Sequence, residues 1–181
     1  MQYLVVFMGK EIERKYLVRS DLFKPMATRV TYYRQGYIPT VNGMTVRVRI
    51  AGDIGYVTFK DHAIGFTRHE FEYEIPKEDA IQMLDLMCEK PQIEKHRYVV
   101  PATQPSASSA SSDVSSDTTE LKWEVDVFHG DNEGLVIAEI EVPSEETQFD
   151  LPAWIGEEVT GDKKYYNSHL CFKPFETWAE K

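Results

Sequence analysis

Short runs in which apolar and polar residues alternate, each closed by a turn signal, fill much of the chain. Successive side chains of a strand point to opposite faces, so such runs predict half-buried strands. They fall at residues 11–18 (EIERKYLV), 29–38 (RVTYYRQGYI), 44–50 (MTVRVRI), 56–60 (YVTFK), 68–75 (RHEFEYEI), 93–100 (IEKHRYVV), 121–128 (LKWEVDVF) and 135–142 (LVIAEIEV). Pro39 with Asn42-Gly43, then Gly52-Asp53, then a loop around Gly65 separate the early runs, which predicts an antiparallel meander. A turn with Gly130, Asp131, Asn132 and Gly134 joins the last two. After Pro76 the period changes: Ile81, Leu84, Met87 and Cys88 recur at helical spacing, predicting a helix over 77–89. A short tail helix is predicted over 162–170, with Thr160 or Asp162 as its cap. The fold class is therefore mainly β (α+β).

The polar positions are charged in an ordered way. Glu11, Glu13 and Lys15 share one strand face, against Ile12 and Arg14. Arg47 and Arg49 oppose Val46, Val48 and Ile50, and Lys60 falls with Thr58 and Tyr56. Glu70, Glu72 and Glu74 oppose Phe71, Tyr73 and Ile75; Glu124 and Asp126 oppose Trp123, Val125 and Val127; Glu139 and Glu141 oppose Ile140 and Val142. Lys95 and Arg97 lie together, with Ile93 and Val99 on their face. A sheet with one wet face also alternates. Here, however, like charges sit at i and i+2, and the strands sort into basic and acidic ones. Holding like charges together is unfavourable unless a counter-ion or ligand separates them. Eight antiparallel strands can close into a barrel without edges. With the charges inside, the result is an eight-stranded closed β-barrel, a charged tunnel, its apolar outside covered by the helix and the tail.

Composition narrows the partners. At 181 residues the chain reads as a single domain, 1–181, of ordinary globular composition. The run at 3–8 is too short for a membrane span or a signal-peptide core, so no membrane partner is expected. A net charge of −10 argues against nucleic acid held on a broad basic surface. It still allows a small polyanion, because carboxylates can bind metal ions that in turn bind phosphate. Cys88 and Cys171 have neither metal nor redox spacing, which points to reduced thiols and a cytoplasmic protein. The five histidines show no metal spacing and read as surface or packing residues, and the three tryptophans as core. Residues 101–119, rich in Ser, Ala and Thr, read as a disordered loop inserted into a hairpin.

The strand at 11–18 resembles the Glu-x-Glu-x-Lys signature of the CYTH domain superfamily, the triphosphate tunnel metalloenzymes. The ordered set Arg47/Arg49, Lys60, Glu70/Glu72, Lys95/Arg97, Asp126 and Glu139/Glu141 extends the resemblance from about residue 9 to the C-terminus. The segments YRQGY, WEVDVF, AEIEV and TGDKKYYN are similar to compact members that prefer inorganic triphosphate, which generally lack the Ser-rich insertion. The resemblance implies a tunnel that hydrolyses or cyclises triphosphates with Mg²⁺ or Mn²⁺, two ions in all. It places a metal at Glu11, Glu13, Glu139 and Glu141, with Asp126 counted on the metal side. Lys15, Arg47, Arg49, Lys60, Lys95 and Arg97 fall on phosphate oxygens. Glu70 and Glu72 serve a second metal and the attacking water, and Lys164 lies on a C-terminal plug helix near the terminal phosphate.

The chemistry is consistent with that assignment. Burying a polyanion uncompensated is prohibitive. Arg forks grip phosphate oxygens in pairs and Lys acts as a point charge, while all-oxygen ligation suits Mg²⁺ or Mn²⁺. The substrate expected first is tripolyphosphate, bound by a monomer or homodimer. Nucleoside or thiamine triphosphatase, adenylate cyclase and a non-catalytic polyphosphate-binding module are the alternatives.

Overall fold

The computed structural model describes residues 12–41, 43–61, 69–103 and 121–179. All eight predicted runs form strands: β1 (Ile12–Val18), β2 (Arg29–Ile38), β3 (Thr45–Ala51), β4 (Ile54–Lys60), β5 (Glu70–Ile75), β6 (Ile93–Pro101), β7 (Lys122–His129) and β8 (Val136–Val142). A ninth, β9 (Ile155–Glu158), is only four residues long and carries too little alternation to be read from sequence. The strands make one antiparallel sheet in the order β5-β4-β3-β2-β6-β7-β8-β1-β9. Among the described residues the eight expected strands are joined by a ninth in this sheet, with β5 and β9 last in its strand order. What adds β9 is the pairing Tyr16↔Glu158, reinforced by a two-pronged Arg14–Glu158 ion pair at 2.9 and 2.6 Å.

Residues 104–120, most of the Ser-rich insertion, lie outside the described residues. Their flanks pair without interruption up to Pro101↔Lys122, so the insertion joins neighbouring antiparallel strands. Among the described residues no helix is long and apolar enough to cross a membrane.

The apolar face of the sheet is covered in two places. Helix α1 (Lys77–Leu86) lays Ala80 and Leu84, with Cys88 just beyond its end, on Val48, Ile50 and Val57. These follow an i, i+4 stripe, whereas Ile81 and Met87, expected on the buried side, are exposed. Gly55 allows the close approach, because a Cβ there would stand 2.7 Å from that of Ala80. The second cover is the 3-10 turn Asp21–Met26, whose Phe23 packs with Trp154, Tyr16 and Trp123.

The C-terminal tail was expected to cover the outside and packs elsewhere. Alternation puts Leu17, Ile93, Phe128 and Ile137 on the charged face, all at one end of it. There they meet Val159, Tyr165 and Leu170 of the tail. The predicted tail helix is a 3-10 turn, Lys163–Tyr165, followed by a four-residue helix, α2 (Asn167–Leu170). Asp162 caps the turn, accepting from the Lys164 backbone N–H at 3.1 Å.

Candidate active site

Residues paired across an antiparallel sheet share a face, and the register therefore gathers the charged positions. Glu13 faces Glu141, Lys15 faces Glu139, and Glu139 faces Glu124. Arg97 faces Asp126, Arg47 faces Thr58, Thr58 faces Glu72, and Lys60 faces Glu70. Every predicted site residue on the described strands thus lies on one face. Glu11 lies outside the described residues.

Two ion-pair clusters occupy that face. On β3, β4 and β5, Glu72 accepts from Arg47 at 3.0 Å, Arg49 at 3.1 Å and the Thr58 hydroxyl at 2.6 Å. Lys60 donates to Glu70 at 2.6 Å. Burial would raise the Glu72 carboxyl, but Thr58 and the two guanidiniums outweigh it and hold it below the ordinary range. The Nε atoms of Arg47 and Arg49 are buried without a partner. A buried donor left unpaired is costly, and these two are directed donors that an incoming anion could satisfy.

The second cluster joins β1, β6, β7 and β8. Arg97 makes a fork to Asp126, both bonds 2.7 Å, and also reaches Glu139 at 2.9 Å and Glu124. Lys95 donates to Asp126, and Lys15 to Glu139. Asp126 is 1% exposed and has cations on both oxygens. Burial raises its carboxyl, yet Lys95 and Arg97 prevail and bring it down to about 2. Burial pushes the Lys95 ammonium down, and its acidic neighbours only partly restore it. For Lys15 the balance is reversed: burial lowers it, but Glu139 and Glu13 together leave it raised.

Glu13 stands apart from these compensated groups. Burial, and then the neighbouring Glu139 carboxylate, push it up to about 7 against the pull of Lys15 and Arg97. Two carboxyl groups competing in this way form a donor pair that a divalent cation would relieve. Glu141 is the cross-strand partner of Glu13 and adds a third oxygen donor on the same face. Among the described residues no three acidic, His or Cys side chains already converge on one point.

The structure brings in residues that sequence reasoning missed. The Tyr33 ring, on β2 between the clusters, lies 5.8 Å from Arg49, 5.9 Å from Lys95 and 5.6 Å from Arg97. Alternation along β2 puts it on the charged face, but it carries no charge to draw notice. Tyr166, from the tail, lies 5.9 Å from the Lys15 ammonium. Lys164 instead sits over the rings of Tyr165 and Trp178, at 4.8 and 5.3 Å, and half of its side chain is exposed. A separate cavity of about 260 Å³ beside the tail is lined by Tyr37, Glu89, Lys90, Pro91, Cys171 and Phe172, none of them from the two clusters.

One antiparallel sheet whose single charged face interleaves lysines and arginines with carboxylates defines a class: proteins with a strand-built face suited to a polyanion. The chain belongs to the CYTH domain family, whose model matches residues 9–168. It is 46% identical over 173 residues to an inorganic triphosphatase of Acetivibrio thermocellus, covering 96% of this chain and 100% of that one. An inorganic triphosphatase of Nitrosomonas europaea is 33% identical over 166 residues, covering 89% and 96%. The crystal structure of the inorganic triphosphatase NE1496 superposes with a TM-score of 0.64 at 31% identity, covering 91% of this chain and 96% of that one.

Proposed function

We propose that this chain hydrolyses inorganic triphosphate to pyrophosphate and phosphate on its charged face. The observation that carries this reading is the compensated array itself. Lys15, Arg47, Arg49, Lys60 and Arg97 each reach the face already held by a carboxylate. The relatives named inorganic triphosphatase, similar over nearly the whole chain, give the array its substrate.

Phosphoryl transfer requires mainly positioning and neutralisation of phosphate oxygens. Arg47 and Arg49 present unpartnered Nε donors beside one another on β3, suited to the paired oxygens of one phosphate. In the sheet order Arg97 on β6 stands two strands from β3 and Lys15 on β1 five, so an extended chain of phosphates would span the two clusters. Asp126 fixes Arg97 and Lys95 from beneath. Glu72, kept ionised by its cations, and Glu70 orient a water toward the terminal phosphorus. The water oxygen bonds to that phosphorus, its proton passes by way of Glu70 to solvent, and the P–O anhydride bond breaks with its electron pair on the departing pyrophosphate. Glu13, Glu139 and Glu141, with Glu11, would hold a divalent cation, Mg²⁺ or Mn²⁺. Such an ion supplies charge neutralisation and a water of lowered pKa when bound. In this reading the sheet curls round its charged face into a tunnel, with the tail at one end. Two free cysteines suit a cytoplasmic enzyme.

The test is phosphate release from tripolyphosphate, ATP and thiamine triphosphate, each with Mg²⁺, Mn²⁺ or a chelator. Metal-dependent turnover fastest on tripolyphosphate is the expected result. Turnover fastest on ATP would move the substrate to nucleotides. No turnover, with metal-free tripolyphosphate binding, would make the face a binding module.

A further inference from the structure

The opposite face of β6 and β7 carries a group of side chains with a different chemistry. His96 and His129 alternate with Lys95, Arg97 and Phe128, so both point away from the charged face. His96 Nδ1 and His129 Nε2 are 2.8 Å apart, with the ring planes at 81°. Glu133 Oε2 lies 3.4 Å from His129 Nδ1. A carboxylate on Nδ1 favours the tautomer whose proton is there, leaving Nε2 with a bare lone pair. Glu94 is the direct cross-strand partner of His129 and two residues from His96 on the same face. Tyr32, the cross-strand partner of His96, packs on its ring at 5.4 Å and donates its hydroxyl to Glu94 at 3.1 Å.

We propose that His96, His129 and Glu94 form a second metal site, selective for a divalent ion of the zinc class. Imidazole nitrogens suit Zn²⁺, Cu²⁺ or Ni²⁺, whereas Mg²⁺ and Mn²⁺ favour the all-oxygen acids of the other face. Tetrahedral Zn–N bonds of about 2.0–2.1 Å put two nitrogens about 3.3 Å apart, so the imidazoles need to part by only about half an ångström. His129 binds through Nε2 with Glu133 retaining its Nδ1 proton. His96 binds through Nδ1 once its proton shifts to Nε2. Among the described residues no third ligand already converges on the pair, so Glu94 releases the Tyr32 hydroxyl and turns to the ion, with water completing the shell. A bound ion would clamp β6 to β7 directly behind Lys95, Arg97 and Asp126.

The test uses the full chain, free of any affinity tag and stripped with a chelator, then titrated calorimetrically with zinc chloride in excess Mg²⁺. The Mg²⁺ occupies oxygen-ligand sites. One Zn²⁺ should bind in the micromolar range and raise the melting temperature, since binding only the folded state stabilises it. His96→Gln and His129→Gln should each weaken binding at least roughly tenfold and remove the melting shift. Glu94→Gln should weaken it less. Glutamine retains hydrogen-bonding capacity, and the zinc-free melting temperature of each variant verifies its fold. An unchanged zinc isotherm in the His96→Gln/His129→Gln double variant would overturn the site, as would a wild type that binds no Zn²⁺.

Discussion

Asp126 is the residue from which the charged face is built. Its carboxylate takes a fork from Arg97 and a bond from Lys95, and neither Asp126 nor Lys95 is more than 3% exposed at the side chain. Desolvating both ions is costly, and only their mutual geometry offsets it. Asp126→Ala leaves a buried ammonium without its partner, and such losses cost about 3–5 kcal/mol. We expect that loss in urea unfolding, where a change below about 1 kcal/mol would show that Lys95 is neutral or rehydrated. Tyr33 acts without charge. Its ring faces three cations from β3 and β6, and each such contact is worth about 0.5–2 kcal/mol. Tyr33→Phe keeps the ring and should keep KM for tripolyphosphate, whereas Tyr33→Leu should raise it roughly tenfold or more with little loss of folding. Equal KM values in the two variants would reduce Tyr33 to packing. Charged residues on this face announce themselves by alternation, whereas Tyr33 and Tyr166 do not. Nor do His96 and His129, whose 33-residue separation is closed by the β6–β7 register.

Among the elements, β9 shows most clearly what fastens the sheet. Arg14 faces away from the charged row of β1, and its guanidinium forks onto Glu158 while lying 5.2 Å from the Phe149 ring. The Glu158 carboxyl is held below its ordinary 4.5 chiefly by the Arg14 hydrogen bonds, with Thr160 helping. A depressed acid contributes stability above its ordinary value and loses it as pH falls through the depressed one. Both side chains are more than a third exposed, which limits the pair to about 1 kcal/mol. Glu158→Gln should therefore melt about 2–4 °C below wild type at neutral pH. The gap should narrow as pH drops below 4.5; a gap constant with pH would mean packing, not charge, holds β9. The eight longer strands and α1 were legible because each repeats its period often enough to show. Four residues of β9 do not. The tail misled for another reason: Ile93, beside Lys95 and Arg97 in sequence, marks an apolar end of the charged face where the tail seats, but only the register aligns it with Leu17, Phe128 and Ile137.

For the molecule as a whole, a net charge of −10 repels a polyphosphate at long range. Association must therefore depend on the local face, where the carboxylates that neutralise the cations are also those able to accept a metal ion. We propose an exchange: phosphate oxygens would take Lys15, Arg47, Arg49 and Arg97, and a divalent cation on the released acids would balance the added negative charge. Among these acids Glu13 is the one pushed up to about 7, by burial and the neighbouring Glu139 carboxylate, with only a 3.7 Å contact to Lys15. The most direct measurement is metal-dependent phosphate release from tripolyphosphate by Glu13→Gln beside the wild type, with melting temperatures taken in parallel. A loss on the order of 100-fold with the fold intact is expected. Wild-type turnover and an unchanged metal titration in Glu13→Gln would contradict it.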